Sequence, residues 1–184
     1  MCSKLLFFLF VLGGNIFSVA SAANNSEVVF EAKIKTCLSK EVIWTQLSAA
    51  MLDSNMSWMW PNKASNVTGG GLKEESQIFV TYKLPFNTTT FDYFLENVDV
   101  LSSFEYVASE NHAFVGGAKV SLENVKRRLR RRPAPGLRSN YTLLTWSGKY
   151  IINQSFQRSL FKNYTEKFFK ELRANIEAAE SEGC

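Results

Sequence analysis

The sequence predicts an α+β fold, a curved antiparallel sheet closed by one long C-terminal helix. Three observations predict it. A strand runs directly into a short helix near residue 40, a succession of strand-like segments joined by short turns follows between residues 77 and 153, and the chain ends in an amphipathic stretch from Phe156 to about Ala179.

Val28 to Thr36 alternates, with Val28, Phe30, Ala32 and Ile34 on one face and Glu31, Lys33 and Lys35 on the other, the period of a half-buried strand. Ser39 is placed to cap a helix, Glu41 falls in its first turn, and Val42, Ile43, Leu47 and Met51 follow at helical spacing. Residues 54–71 are turn-rich and predict a second short helix or turn, then a loop or weak strand ending at Gly69-Gly70-Gly71. These glycines are not a phosphate loop, since no Gly-Lys-Ser/Thr follows.

Strands are then predicted at Gln77 to Leu84, Thr89 to Asn97, Ser102 to Ala108 and Ala113 to Leu122, and the short connections between them imply antiparallel neighbours. One more, Tyr141 to Asn153, places Leu144, Trp146, Tyr150 and Ile152 on a shared face. The final helix repeats apolar residues at Phe156, Leu160, Phe161, Tyr164, Phe168, Leu172 and Ile176, opposite Arg158, Lys162, Glu166 and Lys170.

Ahead of this domain, Lys4, the apolar run Leu5 to Leu12 and the small-residue box Ala20-Ser21-Ala22 read as a cleaved export signal over residues 1–22, leaving a single domain over 23–184. The run is too short to span a bilayer and is broken by Gly13, Gly14 and Asn15. The expected location is extracellular or periplasmic. There Cys37 and Cys184 can pair, or remain two unrelated thiols. Seven Asn-x-Ser/Thr sequons begin at Asn24, Asn55, Asn66, Asn87, Asn140, Asn153 and Asn163, against about two expected by chance. They suit a glycoprotein, although an unmodified chain rich in Asn and Ser shows the same pattern.

Several motifs together resemble the helix-grip superfamily, which includes START domains, plant pathogenesis-related lipid binders and bacterial polyketide cyclase-like (SRPBCC) proteins. They are strand one running into Glu41-Val42-Ile43-Trp44, the aromatic segment Trp58-Met59-Trp60-Pro61, the glycine turn, the hairpin Phe114-Val115-Gly116-Gly117 and the terminal helix, over most of residues 27–180. The resemblance implies a seven-stranded antiparallel sheet wrapped around the long helix, two short helices after strand one, and a cavity for sterols, phospholipids, polyketides or other hydrophobic small molecules. An export signal and an Arg-rich insertion are departures from that pattern.

Aromatic residues make up 14% of the chain. Phe30, Tyr82, Phe91, Tyr93, Phe104, Tyr106, Phe114, Trp146 and Tyr150, with Leu160, Tyr164 and Phe168 of the helix, are the candidate ligand-binding residues, and an ordinary core uses the same types. His112, the one histidine, is expected in a turn, and with no recognisable nucleophile motif no catalytic residue is assigned. Neither a metal site nor a cofactor is expected. Asp92, Glu96, Glu105, Glu123 and the Glu74-Glu75 pair are expected mostly on solvated faces.

The run Lys126 to Arg132, with Arg138, is a basic loop insertion over about residues 126–138. Without its seven basic residues the chain from Ala23 onward carries 13 basic against 17 acidic groups, so the positive charge is local. Arg127, Arg128, Arg130, Arg131 and Arg132 can contact an anionic membrane surface, present a convertase-type cleavage site, or lie merely solvated, and nucleic acid is the less favoured partner.

The expected function is therefore an exported, monomeric carrier of a hydrophobic small molecule. One alternative is a polyketide cyclase- or hydrolase-like enzyme in the same cavity, using a group such as His112, Tyr93 or Tyr106. The other is an interaction module acting through the Arg-rich loop.

Overall fold

The computed structural model describes residues 10–12, 15–21, 27–83, 88–109, 114–126, 140–152 and 155–183, with side chains for 27–83, 88–109, 115–126, 141–152 and 158–181. The strands are β1 (Phe10–Leu12), β2 (Asn15–Ser21), β3 (Glu27–Thr36), β4 (Ser65–Gly69), β5 (Gln77–Lys83), β6 (Thr88–Asp99), β7 (Ser103–Ala108), β8 (Phe114–Lys126) and β9 (Asn140–Ile152). Helix α1 (Lys40–Leu52) and a 3-10 turn (Ser54–Met56) separate β3 from β4, and α2 (Ser155–Gly183) ends the chain.

All strands join one antiparallel sheet in the order β1-β2-β3-β9-β8-β7-β6-β5-β4. Within it, β3 to β9 are the expected seven strands, and the chain crosses from β3 to β4 at opposite sides of that set through α1. The two further strands come from residues read as an export signal. The β2 backbone pairs along β3, Phe17 opposite Ala32 and Ser21 opposite Val28, and β1 pairs with β2.

Each element follows from its local chemistry. On β3 the alternation holds, with Val28, Phe30, Ala32 and Ile34 buried. The Ser39 hydroxyl accepts from the Val42 N–H at 3.4 Å at the start of α1, which buries Ile43, Trp44, Leu47, Ala50 and Met51. Gly71 adopts a positive φ of 83° at the turn leading toward β5. At the β6–β7 turn Asn97 and Leu101 also take positive φ, and the Glu74 carboxylate holds it by accepting from the N–H groups of Asn97 (2.8 Å) and Val98 (2.7 Å).

The core lies between the concave face and α2, where a large ring in each cross-strand row is matched by a small neighbour. Across β3, β9 and β8 the rows read Val28–Tyr150–Gly116, Phe30–Gly148–Ala118 and Ala32–Trp146–Val120. Phe30 and Tyr150 stack nearly parallel (8°) at 6.0 Å, with the Phe30 ring against the position a Gly148 side chain would need. Helix α2, about 43 Å long at 1.5 Å per residue, buries Phe161, Thr165, Phe168, Phe169, Leu172 and Ile176 over these rings. Thr165 sits on that apolar face because its hydroxyl donates to the Phe161 carbonyl one turn back, at 2.8 Å.

Helix α2 is anchored at several points. The Asn175 amide donates to the carbonyls of Met59 (3.2 Å) and Trp60 (3.3 Å), and the Cys37 N–H donates to the Glu180 carboxylate at 3.0 Å. Cys37 is disulfide-bonded, and Cys184 lies outside the described residues. Among the described residues no helix is long and apolar enough to cross a membrane.

Gly148 gives a direct test of this ring-against-glycine packing. A Cβ there would lie 2.5 Å from Phe30 Cζ and 2.8 Å from Ala118 Cβ. Gly148→Ala is expected to destabilise the fold by about 1–3 kcal/mol in chemical denaturation, and by less in a Phe30→Leu background. An equal loss in both backgrounds would remove Phe30 from the explanation.

Candidate ligand pocket between sheet and helix

Where β3, β5, β7 and β9 face α2, the rings do not fill the space. A partly enclosed cavity of about 50 Å³ remains, lined by Phe30, Met51, Trp60, Ile78, Val80, Tyr82, Tyr106, Trp146, Tyr150, Phe161, Tyr164, Thr165, Phe168 and Phe169. A void of that size holds a few water-sized groups. It is far below the roughly 300–1,000 Å³ of a pocket that encloses a drug-sized ligand.

Of the ligand-binding residues expected from sequence, Phe30, Tyr82, Tyr106, Trp146, Tyr150, Tyr164 and Phe168 line the cavity. Tyr93 is fully buried just behind it, hydroxyl to hydroxyl with Tyr82. Phe104 turns away under α1, edge-on to Trp44 at 6.2 Å, and Phe91 packs edge-on to Tyr82 at 5.5 Å. Leu160 is half-buried outside the lining, and the Phe114 side chain lies outside the described residues. Met51, Trp60, Ile78, Val80, Phe161, Thr165 and Phe169 complete the wall without having been singled out as binding residues. Phe169, two turns after Phe161 and three residues before Leu172, lies on the same helical stripe and is buried against Trp146 at 5.7 Å.

The polar groups of the pocket are hydroxyls and indole N–H groups. Trp146 Nε1 donates to the Tyr106 oxygen at 2.9 Å, and the Tyr150 hydroxyl also engages Tyr106. Trp60 Nε1 donates to Ser65 Oγ at 3.3 Å, and the Ser65 hydroxyl engages Tyr164. Trp60 is held over the cavity by the Asn175 contact behind it and by rings on either side, Trp146 at 6.0 Å and Phe168 at 5.2 Å.

Loss of water around the phenol oxygens, above all other causes, raises their pKa values: Tyr106 to about 12, and Tyr82, Tyr93, Tyr150 and Tyr164 well above the ordinary phenol value. The neighbouring phenols add to the effect at Tyr82, Tyr93, Tyr150 and Tyr164. These hydroxyls therefore stay protonated at physiological pH.

The carboxylates lie elsewhere. Glu105 is held below its ordinary pKa mainly by the hydrogen bond from Lys119 on the outer face, at 2.9 Å, and Asp92 accepts from the Gln77 amide at 3.0 Å. An open depression of about 650 Å³ on that face includes Glu31, Glu105, Lys119 and Lys149 in its lining. Its charges pair with one another or with neighbours, Lys33–Glu31 at 2.7 Å and Lys149–Glu27 at 3.0 Å. Among the described residues no group of three His, Cys, Asp or Glu side chains could hold a metal ion.

His112 and the loop residues Arg127, Arg128, Arg130, Arg131 and Arg132 lie outside the described residues. Of the sequons, Asn55 and Asn163 are exposed and Asn66 is half-exposed on β4. The side chains of Asn24, Asn87, Asn140 and Asn153 are outside the described set.

No protein-family model matches the sequence, and no curated protein is significantly similar to it. Solved structures are. Norcoclaurine synthase from Thalictrum flavum, determined in complex with dopamine and hydroxybenzaldehyde, is similar with a TM-score of 0.55 at 13% identity, covering 95% of this chain and 97% of that one. A START superfamily protein from Mycobacterium smegmatis is similar with a TM-score of 0.53 at 14% identity, over 82% of this chain and 98% of that one. The protein Ara h 8.0201 is similar with a TM-score of 0.51 at 11% identity, over 83% of this chain and 99% of that one. The fold is the helix-grip fold.

The buried phenols predict an alkaline transition. Below pH 10 they are protonated in both the folded and the unfolded chain. Above it the unfolded chain releases protons that the folded chain keeps, so stability falls as pH rises, by about 1.4 kcal/mol per pH unit for each phenol. Phenolate absorbance should rise together with loss of the tertiary circular dichroism signal. Titration of these phenols near pH 10 with the fold intact would contradict their burial.

Proposed function

We propose that this protein binds a small hydrophobic molecule between the concave sheet and α2. The observation that carries the reading is the unfilled space itself: ten rings converge on a site that is partly enclosed, mostly apolar and edged by hydroxyls, yet left unfilled at its centre. The fold adds support, since a similar structure was determined with two small aromatic molecules bound. At about 50 Å³ the space is small, so a ligand enters by displacing the helix-side rings Phe161 and Phe168.

The protein is exported in this reading, and residues 1–22 are removed as it leaves. The partner of the disulfide-bonded Cys37 is Cys184. The Cys37 N–H already contacts Glu180, one helical turn before it, and such a bond persists in an oxidising compartment. The basic loop of residues 126–138 then supplies a contact for an anionic membrane surface, supported by the concentration of charge in that segment.

Native mass spectrometry of protein purified from its own host, followed by organic extraction, is expected to show a co-purifying apolar molecule. In parallel, Nile red should bind and enhance its emission. Val80→Phe, which fills the space from the sheet side, should weaken that uptake at least tenfold while changing Tm by no more than about 4 °C. A protein that carries nothing and takes up no apolar probe would overturn the reading.

A further inference from the structure

The donors around the pocket outnumber the hydrogen bonds they make. Tyr82 and Tyr93 bring two O–H protons to one shared bond. Trp146, Tyr106 and Tyr150 bring three N–H or O–H protons to two bonds, because an indole N–H only donates. Trp60, Ser65 and Tyr164 likewise bring three protons to two bonds. Each cluster is left with one proton beyond the bonds described, whichever way its hydroxyls rotate.

The phenols that carry these clusters to the cavity wall are Tyr82, Tyr106 and Tyr164, and they lie close together. The Tyr82 and Tyr164 rings are 4.6 Å apart, and the Tyr93 and Tyr106 rings 5.5 Å. Among the described residues no carboxylate lines the void, so the side chains of its walls offer donors in excess of acceptors. Buried donors without an acceptor are costly, so an acceptor placed inside the void would relieve this imbalance.

We infer that the pocket recognises an acceptor oxygen, specifically the carbonyl oxygen of an otherwise apolar ring compound, through the O–H groups of Tyr82, Tyr106 and Tyr164. The aromatic walls take the ring and the hydroxyls take the oxygen. A carbonyl oxygen with two lone pairs can accept from two of the three donors at once, whereas an ammonium group would bring only further donors. The inference rests on the proposal that this cavity is a ligand site, and it adds which chemical class the site prefers.

The test uses two molecules of nearly the same shape, 1-indanone and indane, titrated against the full chain and followed by tryptophan fluorescence. The expected result is that indanone binds at least about tenfold more tightly, the equivalent of one net hydrogen bond. Its carbonyl stretching band, read by infrared difference spectroscopy, should shift below its position in hexane. Tyr164→Phe and Tyr82→Phe each keep the ring and take one hydroxyl from the wall, and each should reduce the indanone-to-indane preference at least about threefold. The infrared band gives a reading on wild-type protein even if either variant folds poorly. Equal binding of the two molecules, with an unshifted carbonyl band, would overturn the inference while leaving the pocket as a ligand site, its donors occupied by water only. Binding of neither molecule would overturn both.

Discussion

The structure depends on a steric constraint: on the concave face, a large ring can lie flat only where its cross-strand neighbour is small. Gly148 and Ala118 make room for Phe30, and Gly116, opposite Tyr150, lets the β8 backbone approach that of β9 at a positive φ of 137°. Rings that lie down on the sheet present their faces and edges to α2, and Phe168 and Phe169 pack edge-on to Trp146 at 5.3 and 5.7 Å. Edge-to-face pairs contribute about 0.5–1.5 kcal/mol each beyond their buried area. Rigid rings set at such angles also cannot close on themselves completely, so the same packing that holds α2 in place leaves the central void.

Electrostatically the pocket is neutral but far from featureless. Among the described residues none that lines the pocket is charged; on the outer face of the sheet Glu105, Lys119, Glu27 and Lys149 pair in reach of water, and such pairs contribute little to stability. Inside, five phenols and two indoles supply polarity without a formal charge, and so avoid the much larger cost of burying an ion. The interior hydroxyls are therefore suited to orienting a ligand, and burial extends their protonated range from neutral into strongly alkaline pH.

Much of the architecture was legible because it is local. The alternation of Val28 to Ile34, the Ser39 cap and the periodicity of the last helix each follow from neighbours within a few residues, and each reappears in the structure. The lining of the pocket was legible only in part. Tyr93 and Phe104 share the inward parity of Tyr82 and Tyr106, but sheet curvature and the placement of α1 carry Phe104 under a different helix. Trp60 lies outside any periodic element and reaches the cavity because Asn175, more than a hundred residues later, holds its carbonyl. Thr165 reads as a polar break in the stripe until its hydroxyl is paired with the helix backbone. No period-based reading carries such long-range or compensating contacts.

The pairing of β2 along β3 has a consequence for self-association. A chain beginning at Ala23 would lack β2, and the ten residues of β3 would become an open edge with unpaired N–H and C=O groups. At the other end of the sheet β4 is only five residues long and runs into the triple glycine, a poor template for another strand. The longer edge is guarded differently: Glu31, Lys33 and Lys35 project from its outer side, and an incoming strand would have to accommodate their charges. Residues that take no part in the core thus keep a shortened chain from recruiting copies of itself.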